Sequence, residues 1–228
     1  AKQEPDLWRD HESRLDPTKP TYDRDLHKRY VSRYIDHICD QLEKAGAAEC
    51  DLVLLPETCL PLGPPRPDTR EALLEMCAWA EPQFLDKTSP IAQRYDMIIA
   101  SCYYRAEGDR LYNDAVLMNE QGDVTGIYHK VHLPCPLEWP TTEAGVFEAG
   151  NEYPVFETRI GKVGFLICYD IDFPEATMCL ALNGVELILH PTVGYNFPDE
   201  EEVVGEARLR TRATDASVPI VYCNFGPA

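Results

Sequence analysis

Short, continuous apolar runs recur along the chain, and each has about the length of one strand buried inside a sheet. Segments with helical spacing of apolar residues, or with helix start signals, alternate with these runs. We therefore predict an α/β fold in which helices cover the strands. The predicted helices are 22–44, 69–80, 173–184 and 200–216, and the predicted strands are 51–57, 97–104, 115–118, 126–133, 155–160, 163–167, 186–189 and 219–223.

Turn residues in the middle of the chain predict hairpins between consecutive strands. Glu107-Gly108-Asp109, Gln121-Gly122-Asp123 and Gly161-Lys162 each separate two strand-like runs. Antiparallel hairpins between flanking βα units predict sheets of mixed direction. No repeat or linker divides residues 22–228, which we expect to form a single domain. Residues 1–21 are polar and contain three prolines, so we expect an N-terminal arm that is loose or wraps another part.

Charge and cysteine content limit the partners and the compartment. The 228 residues include 21 Lys and Arg against 39 Asp and Glu, so the formal net charge is −18. Such a chain repels phosphate backbones and anionic lipids, and we expect neither nucleic acid nor a membrane as a partner. The nine cysteines are odd in number and irregularly spaced, which favours a reducing, cytoplasmic setting. We expect Cys102, Cys179 and Cys223 to be buried free thiols, and His129 and His132 have no ligand set that would indicate a metal.

Three of the apolar runs end in, or carry, a residue that could do chemistry. Glu57 follows the run 52–56, Lys130 lies in the run that contains 127–129, and Cys168 follows 163–167. Ligands of open α/β sheets bind beyond the carboxyl ends of strands. A predicted helix begins soon after Cys168, and its dipole would favour the nucleophilic thiolate. Taken singly, each residue has a structural explanation. Glu57 could be a solvated turn residue and Lys130 could lie on the outward face of a strand. The other eight cysteines show that this chain uses cysteine as a small core residue, which would also explain Cys168.

Taken together, three ordered motifs resemble those of the carbon–nitrogen hydrolases, the nitrilase superfamily. The motifs are Leu-Leu-Pro-Glu at 54–57, Tyr-His-Lys-Val-His-Leu at 128–133 and Gly-Phe-Leu-Ile-Cys-Tyr-Asp-Ile-Asp-Phe-Pro-Glu at 164–175, and the resemblance extends over about 51–225. It implies a nitrilase-like αββα sandwich, in which helices cover two mixed β-sheets. It also implies a catalytic triad with Glu57 as general base, Lys130 as electrophilic stabiliser and Cys168 as nucleophile. Chemistry of this kind requires neither a metal nor an organic cofactor.

The same resemblance implies further site residues and a reaction class. Family members carry a second active-site glutamate after the lysine strand, for which we take Glu138, with Glu143 as the alternative; the backbone N–H of Tyr169 would help to hold an oxyanion. The residues from Cys168 to Glu175 resemble the amidase-type branches. We therefore expect hydrolysis of a small-molecule amide or N-carbamoyl compound by water through a thioester. The alternatives are a nitrilase acting on a nitrile and an inactive family member that serves as a binding or scaffold protein.

Two departures from the family pattern bear on assembly. Residues 1–21 contain no apolar first strand, and the chain stops before the family's C-terminal hairpin, so this could be a fragment or a chain completed by a partner. An unpaired apolar sheet edge is then expected, and we predict a homo-oligomer with sandwich-to-sandwich contacts. The substrate-binding residues are unknown from sequence, but we expect the loops 59–67, 133–145 and 193–198 to contact the substrate.

Overall fold

Two four-stranded sheets stack face to face in a computed structural model, which describes residues 14–134, 143–193 and 199–225, with the backbone alone for 199–204. Helices cover the outer face of each sheet, so the layers run αββα as expected. The helices are α1 (Arg24–Ala47), α2 (Arg70–Tyr95), α3 (Pro174–Leu182) and α4 (Asp199–Ala216). The strands are β1 (Leu52–Leu54), β2 (Ile98–Glu107), β3 (Arg110–Met118), β4 (Val124–His129), β5 (Val155–Thr158), β6 (Gly161–Phe165), β7 (Leu187–Pro191) and β8 (Ile220–Cys223).

The first sheet has the order β1-β2-β3-β4. Strand β1 runs parallel to β2, with Leu52 opposite Ile98. Strands β2, β3 and β4 form an antiparallel meander as the turn signals predicted, and Gly108 adopts a φ of 63° in the first turn. The left-handed conformation at this turn favours glycine. Because β1 is parallel to β2, and β2, β3 and β4 alternate in direction, β1 and β4 run the same way, and their carboxyl ends place the next residues at one edge of the sheet.

The second sheet has the order β5-β6-β7-β8. Strands β5 and β6 form an antiparallel hairpin, whereas β6, β7 and β8 are parallel, with α3 and α4 as the crossovers between them. Both sheets are therefore mixed. Parallel strands joined through helices bring their carboxyl ends to one side of the sheet, which is where the segments after β6 and β7 lie.

Small residues allow the two sheets to pack closely. A Cβ atom at Gly126 of β4 would lie 2.6 Å from the ring of Phe156 on β5, so the absence of a side chain permits this contact. The inter-sheet core also contains Cys102, Phe165 and Leu189, all fully buried. Separate clusters hold α1 and α2 against the first sheet and α3 and α4 against the second.

Helix α2 is longer than the sequence predicted. We expected it to end near Ala80, ahead of Pro82 and Pro90, but it continues through both prolines to Tyr95. The side-chain amide of Gln83 donates to the carbonyl of Trp79 at 2.8 Å, which supplies one bond close to the first proline. A proline inside a helix costs about 3 kcal/mol or more. Burial of the helix against the first sheet offsets this cost, and Phe84 is 1% exposed within it.

Other expectations needed local correction. Gly46 does not follow the end of α1 but lies inside it, one residue before Ala47. The ring of Tyr95 occupies the space that a Cβ of residue 46 would fill, at 2.3 Å, so this position requires glycine. Strand β1 is half-buried rather than buried on both faces, since its one neighbour among the described strands is β2. Leu15 is 1% exposed, so the described end of the N-terminal arm packs on the domain.

The cysteines are free throughout the described residues. Cys102 is buried as predicted, but Cys179 and Cys223 are half-buried. Cys179 lies on α3 away from its buried positions, and Cys223 lies on β8, which has a neighbour among the described strands on one side. No helix in the described part of the chain combines the length and the apolar character that crossing a membrane requires.

Candidate active site

Three segments that follow strands bring Glu57, Lys130 and Cys168 together between the sheets. Glu57 lies three residues past β1, Lys130 directly follows β4 and Cys168 lies three residues past β6. Lys130 Nζ is 2.7 Å from Glu57 Oε1, and Cys168 interacts electrostatically with both side chains. The backbone N–H of Glu57 donates to the carbonyl of Thr192 at 3.3 Å, so the two sheets meet here through backbone as well as side chains.

The two oxygens of the Glu57 carboxylate have different surroundings. Oε1 accepts from Lys130 Nζ at 2.7 Å and from Asn113 Nδ2 at 2.8 Å. Oε2 is buried and has no hydrogen-bond partner in the described residues. A buried carboxylate oxygen without a donor costs free energy, and such an exception calls for an explanation such as a catalytic role. This oxygen is free to accept a proton from a group that enters the site.

A second carboxylate, that of Glu143, completes the buried cluster. Its Oε2 accepts from Lys130 Nζ at 2.9 Å, and its Oε1 accepts from Asn113 Nδ2 at 2.9 Å. Burial raises the pKa of Glu143, while the Lys130 charge opposes the shift. Of the two candidates for the second glutamate, Glu138 lies outside the described residues, and Glu143 is the one found beside Lys130.

Lys130 is held in the charged state by these neighbours. Its side chain is 1% exposed, and burial alone would lower its pKa. The carboxylates of Glu57 and Glu143 outweigh burial and raise the pKa of Lys130 well above its usual range. Sequence analysis gave no role to Asn113, whose amide bridges both carboxylates; a lone Asn inside a buried strand was the available signal.

Cys168 is a protonated thiol at rest, which corrects our expectation of a thiolate. Burial raises the pKa of Cys168 to about 12, and the charge of Glu57 adds to the shift while Lys130 opposes it. The residue begins a 3₁₀ turn, Cys168–Asp172, and α3 begins at Pro174, so the dipole of α3, whose effect falls off within the first turn, does not offset burial. Its Sγ donates weakly to the carbonyl of Val193 at 3.8 Å.

Asp170 fixes the turn that carries the nucleophile candidate, a role that sequence analysis missed. Its Oδ2 accepts from Tyr128 Oη at 2.7 Å and from the N–H of Ile167 at 2.9 Å. Its Oδ1 accepts from the N–H and the Nδ1 of His132 at 2.8 and 2.9 Å. One buried carboxylate thus connects β4 and the residues after it to the 3₁₀ turn that begins at Cys168.

The acidic group nearest to a metal-ligand arrangement among the described residues is Glu107, Asp114 and His129. Arg105 already neutralises it, because its guanidinium donates to Asp114 at 2.9 Å and to Glu107 at 3.3 Å. His129 also bonds to Asp114, at 2.7 Å. Because Arg105 and His129 already pair with the two carboxylates, we interpret the group as an ion-pair network next to β4 rather than as a metal site.

Comparison with known proteins places this arrangement in context. The sequence model described as carbon-nitrogen hydrolase matches residues 24–225. A probable nitrilase of Schizosaccharomyces pombe is 36% identical over 115 residues, which are 50% of this chain and 39% of that protein. A citrullinase of Francisella tularensis is 32% identical over 103 residues, 45% of this chain and 35% of that protein. The chain therefore spans well under half the length of these two relatives in the matched regions.

A solved structure gives a chemical parallel. It is a variant of the amidase from Nesterenkonia sp. AN1, with the acetamide moiety of fluoroacetamide added covalently at the active site cysteine. It is 27% identical to this chain, with a TM-score of 0.70, and the match covers 86% of this chain and 71% of that one. The shared fold agrees with the αββα layers described above.

Proposed function

Because this chain belongs to the carbon–nitrogen hydrolase family, we propose that it hydrolyses a non-peptide C–N bond in a small amide or N-carbamoyl compound. Cys168 is the nucleophile, Glu57 the general base and acid, and Lys130 the group that stabilises the oxyanion. Glu143 is the second glutamate, which holds Lys130 in place. The reaction uses water and releases ammonia or an amine.

The observation that carries this proposal is that Glu57, whose Oε2 is buried and unpartnered, lies close enough for its charge to raise the pKa of the Cys168 thiol. A thiol with a pKa of about 12 is a weak nucleophile at neutral pH unless a base removes its proton during attack. The other oxygen of Glu57 is occupied by Lys130 and Asn113. The carboxylate is therefore oriented, with one acceptor position left for the proton of Cys168.

The proposed reaction has two halves. Sγ of Cys168 forms a bond to the carbonyl carbon while its proton moves to Glu57, and the carbonyl electron pair moves onto oxygen. Lys130 Nζ and the N–H of Tyr169 stabilise that oxyanion. The C–N bond then breaks, the nitrogen takes the proton from Glu57 and leaves, and a thioester remains. Water adds to the thioester with its proton passing to Glu57, and cleavage of the C–S bond returns the proton to sulfur.

The proposal extends to compartment and assembly. Eight cysteines are free in the described residues, which supports a cytoplasmic, reducing setting. Leu182 is 83% exposed and Met178 is 41% exposed on α3, and Val221 is 41% exposed on β8. These side chains give the second sheet's layer an apolar outer surface that supports a homo-oligomer. Light scattering on the purified chain, compared with a Leu182→Glu variant, tests this part.

The test of the chemistry is a substrate panel read by release of ammonia or amine. Wild-type protein is compared with Cys168→Ala on primary amides, N-carbamoyl compounds and nitriles, and mass spectrometry follows the acyl group on Cys168. We expect amide or carbamoyl turnover and a transient acyl adduct on Cys168 of the wild type after rapid quenching, and we expect both to form much more slowly when Glu57 is replaced by Gln. Turnover of nitriles alone would instead identify a nitrilase. A folded wild-type protein without turnover or adduct would refute the enzyme proposal in favour of a binding protein.

A further inference from the structure

A cavity of about 710 Å³ borders the catalytic cluster. Thr58, which follows Glu57, and Val193, whose carbonyl accepts from Cys168, both line it. Tyr104 lines the same wall and packs on Phe147 with ring centroids 4.6 Å apart. The volume is in the range of small-molecule sites. The cavity is thus placed to hold the part of a substrate that does not react.

Most of the wall is aromatic or apolar, but two charged residues contribute to it. Tyr30, Tyr34, Leu60 and Leu62 line the cavity together with Asp16 and Arg66. Arg66 is the single cation among the described lining residues. Because a guanidinium stays charged at every physiological pH, Arg66 is a permanent cation on this wall.

Arg66 lacks the partners that a partly buried arginine normally has. Its Nε is buried and has no hydrogen-bond partner, and the guanidinium makes no ion pair in the described part of the chain. Asp16 is close enough to act on it electrostatically, but the Oδ1 of Asp16 is occupied by the N–H and hydroxyl of Thr18. A buried donor without an acceptor is costly, and an acceptor that enters the cavity would satisfy it.

The backbone around Arg66 is rigid, which favours a binding role over a mobile surface side chain. Pro65 and Pro67 flank it in the sequence. Its N–H donates to Thr69 Oγ1 at 3.1 Å, and its carbonyl accepts from the N–H of Thr69 at 3.0 Å. A rigid backbone reduces the conformational freedom that is lost when the side chain binds a ligand.

We propose that the substrate carries a carboxylate remote from its scissile amide or carbamoyl group, and that Arg66 binds this carboxylate in the cavity. This inference rests on the proposed function and names its substrate class. The guanidinium fork matches a carboxylate. Asp16 on the same wall and the net charge of −18 disfavour multiply charged anions such as phosphate esters, because a single cation offsets one negative charge.

The test compares ω-amide acids with their methyl esters, so that the scissile amide is constant and only the remote charge changes. Succinamate, glutaramate and adipamate cover the unknown distance to Arg66. We expect kcat/KM for the best acid to exceed that of its ester in the wild type, and this ratio to fall about 100-fold in Arg66→Gln. The matched control is Arg70→Gln, because Arg70 donates to the carbonyl of Asp109 and does not line the cavity. Its acid-to-ester ratio should equal that of the wild type.

Direct binding separates this inference from the proposed function. Calorimetry on Cys168→Ala, with and without Arg66→Gln, measures the affinity for the same acids without turnover. Tenfold or greater weakening by Arg66→Gln supports the carboxylate site even if the wild type hydrolyses nothing, in which case the proposed function alone fails. Efficient hydrolysis of esters and acids alike, with one ratio in wild type and Arg66→Gln, would overturn the inference and leave the enzyme proposal intact.

Discussion

Replacement of Lys130 by Met isolates the electrostatic role of the buried ammonium. Lys130 Nζ lies 2.7 Å from Glu57 and 2.9 Å from Glu143, with all three side chains at most 10% exposed. Methionine retains the unbranched apolar stem, so the main loss is the charge. Two buried carboxylates then share one amide donor, Asn113, and repel each other. Breaking a buried ion pair in this way costs about 3–5 kcal/mol of the free energy of unfolding.

The loss should depend on pH in a defined direction. In the variant, the Lys130 charge no longer opposes the rise that burial causes in the pKa of Glu143, so this pKa lies further above the unfolded value of about 4.3. The folded state then binds more protons than the unfolded state. The variant is most stable below about pH 4 and loses up to about 1.4 kcal/mol per pH unit as pH rises through the folded pKa. In the wild type, Lys130 stays charged over this interval because its pKa is raised.

Urea unfolding followed by circular dichroism at about pH 5, 6.5 and 8 measures these free energies. The double variant Lys130→Met/Glu143→Gln should recover part of the loss and show a weaker pH dependence, because it removes one of the two anions. Lys162→Met is the surface control, since Lys162 pairs with Glu157 at 3.2 Å while 43% exposed, and it should cost less than about 1 kcal/mol. A loss below about 1 kcal/mol for Lys130→Met at every pH would refute the buried ion cluster.

Three further substitutions test the nucleophile and its supports. Cys168→Ala should abolish ammonia release and Cys168→Ser should lower kcat by about 10³-fold or more, both with melting curves near that of the wild type; turnover by Ala would exclude a covalent mechanism. Asp170→Asn replaces one acceptor by an amide N–H that faces other N–H or O–H donors, so the unfolding free energy should fall by about 2–3 kcal/mol. We expect kcat to fall by a larger factor than KM changes, and an unchanged kcat would contradict the positioning role of Asp170. Gly150→Ala would place a Cβ 2.2 Å from the carbonyl oxygen of His129, so unfolding free energy and activity should both drop, and wild-type stability would show that this close approach is unimportant.

The sequence predicted the order and type of the elements because most of them have clear periodicity or turn chemistry. Each of the predicted strands exists, and the hairpin at Gly108 follows from a local backbone requirement. The failures arose where tertiary packing outweighs local propensity. Pro82 and Pro90 do not end α2, because the surrounding helix is buried. Gly46 is required by the ring of Tyr95, a residue 49 positions later in the chain, and no local pattern reveals such a contact.

The candidate site was predictable in its residue types but not in its ionisation. Motif order indicated Glu57, Lys130 and Cys168, and the structure brings them to one cluster. The partners Asn113 and Asp170 escaped sequence reasoning, because hydrogen bonds between residues 42 or 56 positions apart depend on register between strands and turns. The protonation state of the thiol depends on burial, which the sequence did not supply.

The raised pKa of Cys168 changes how the site would work. A permanent thiolate beside Lys130 would neutralise the ammonium that stabilises the oxyanion in the proposed mechanism, and it would react with any electrophile that enters. A neutral thiol keeps the Lys130 charge directed to Glu57 and Glu143 until substrate arrives. Cys168 also adopts a φ of 45°, a left-handed conformation that costs about 1–3 kcal/mol for a residue with a side chain. The bonds of Asp170 hold that turn in place, so the sulfur is presented at a fixed position, and in the proposed mechanism it becomes nucleophilic only as Glu57 accepts its proton.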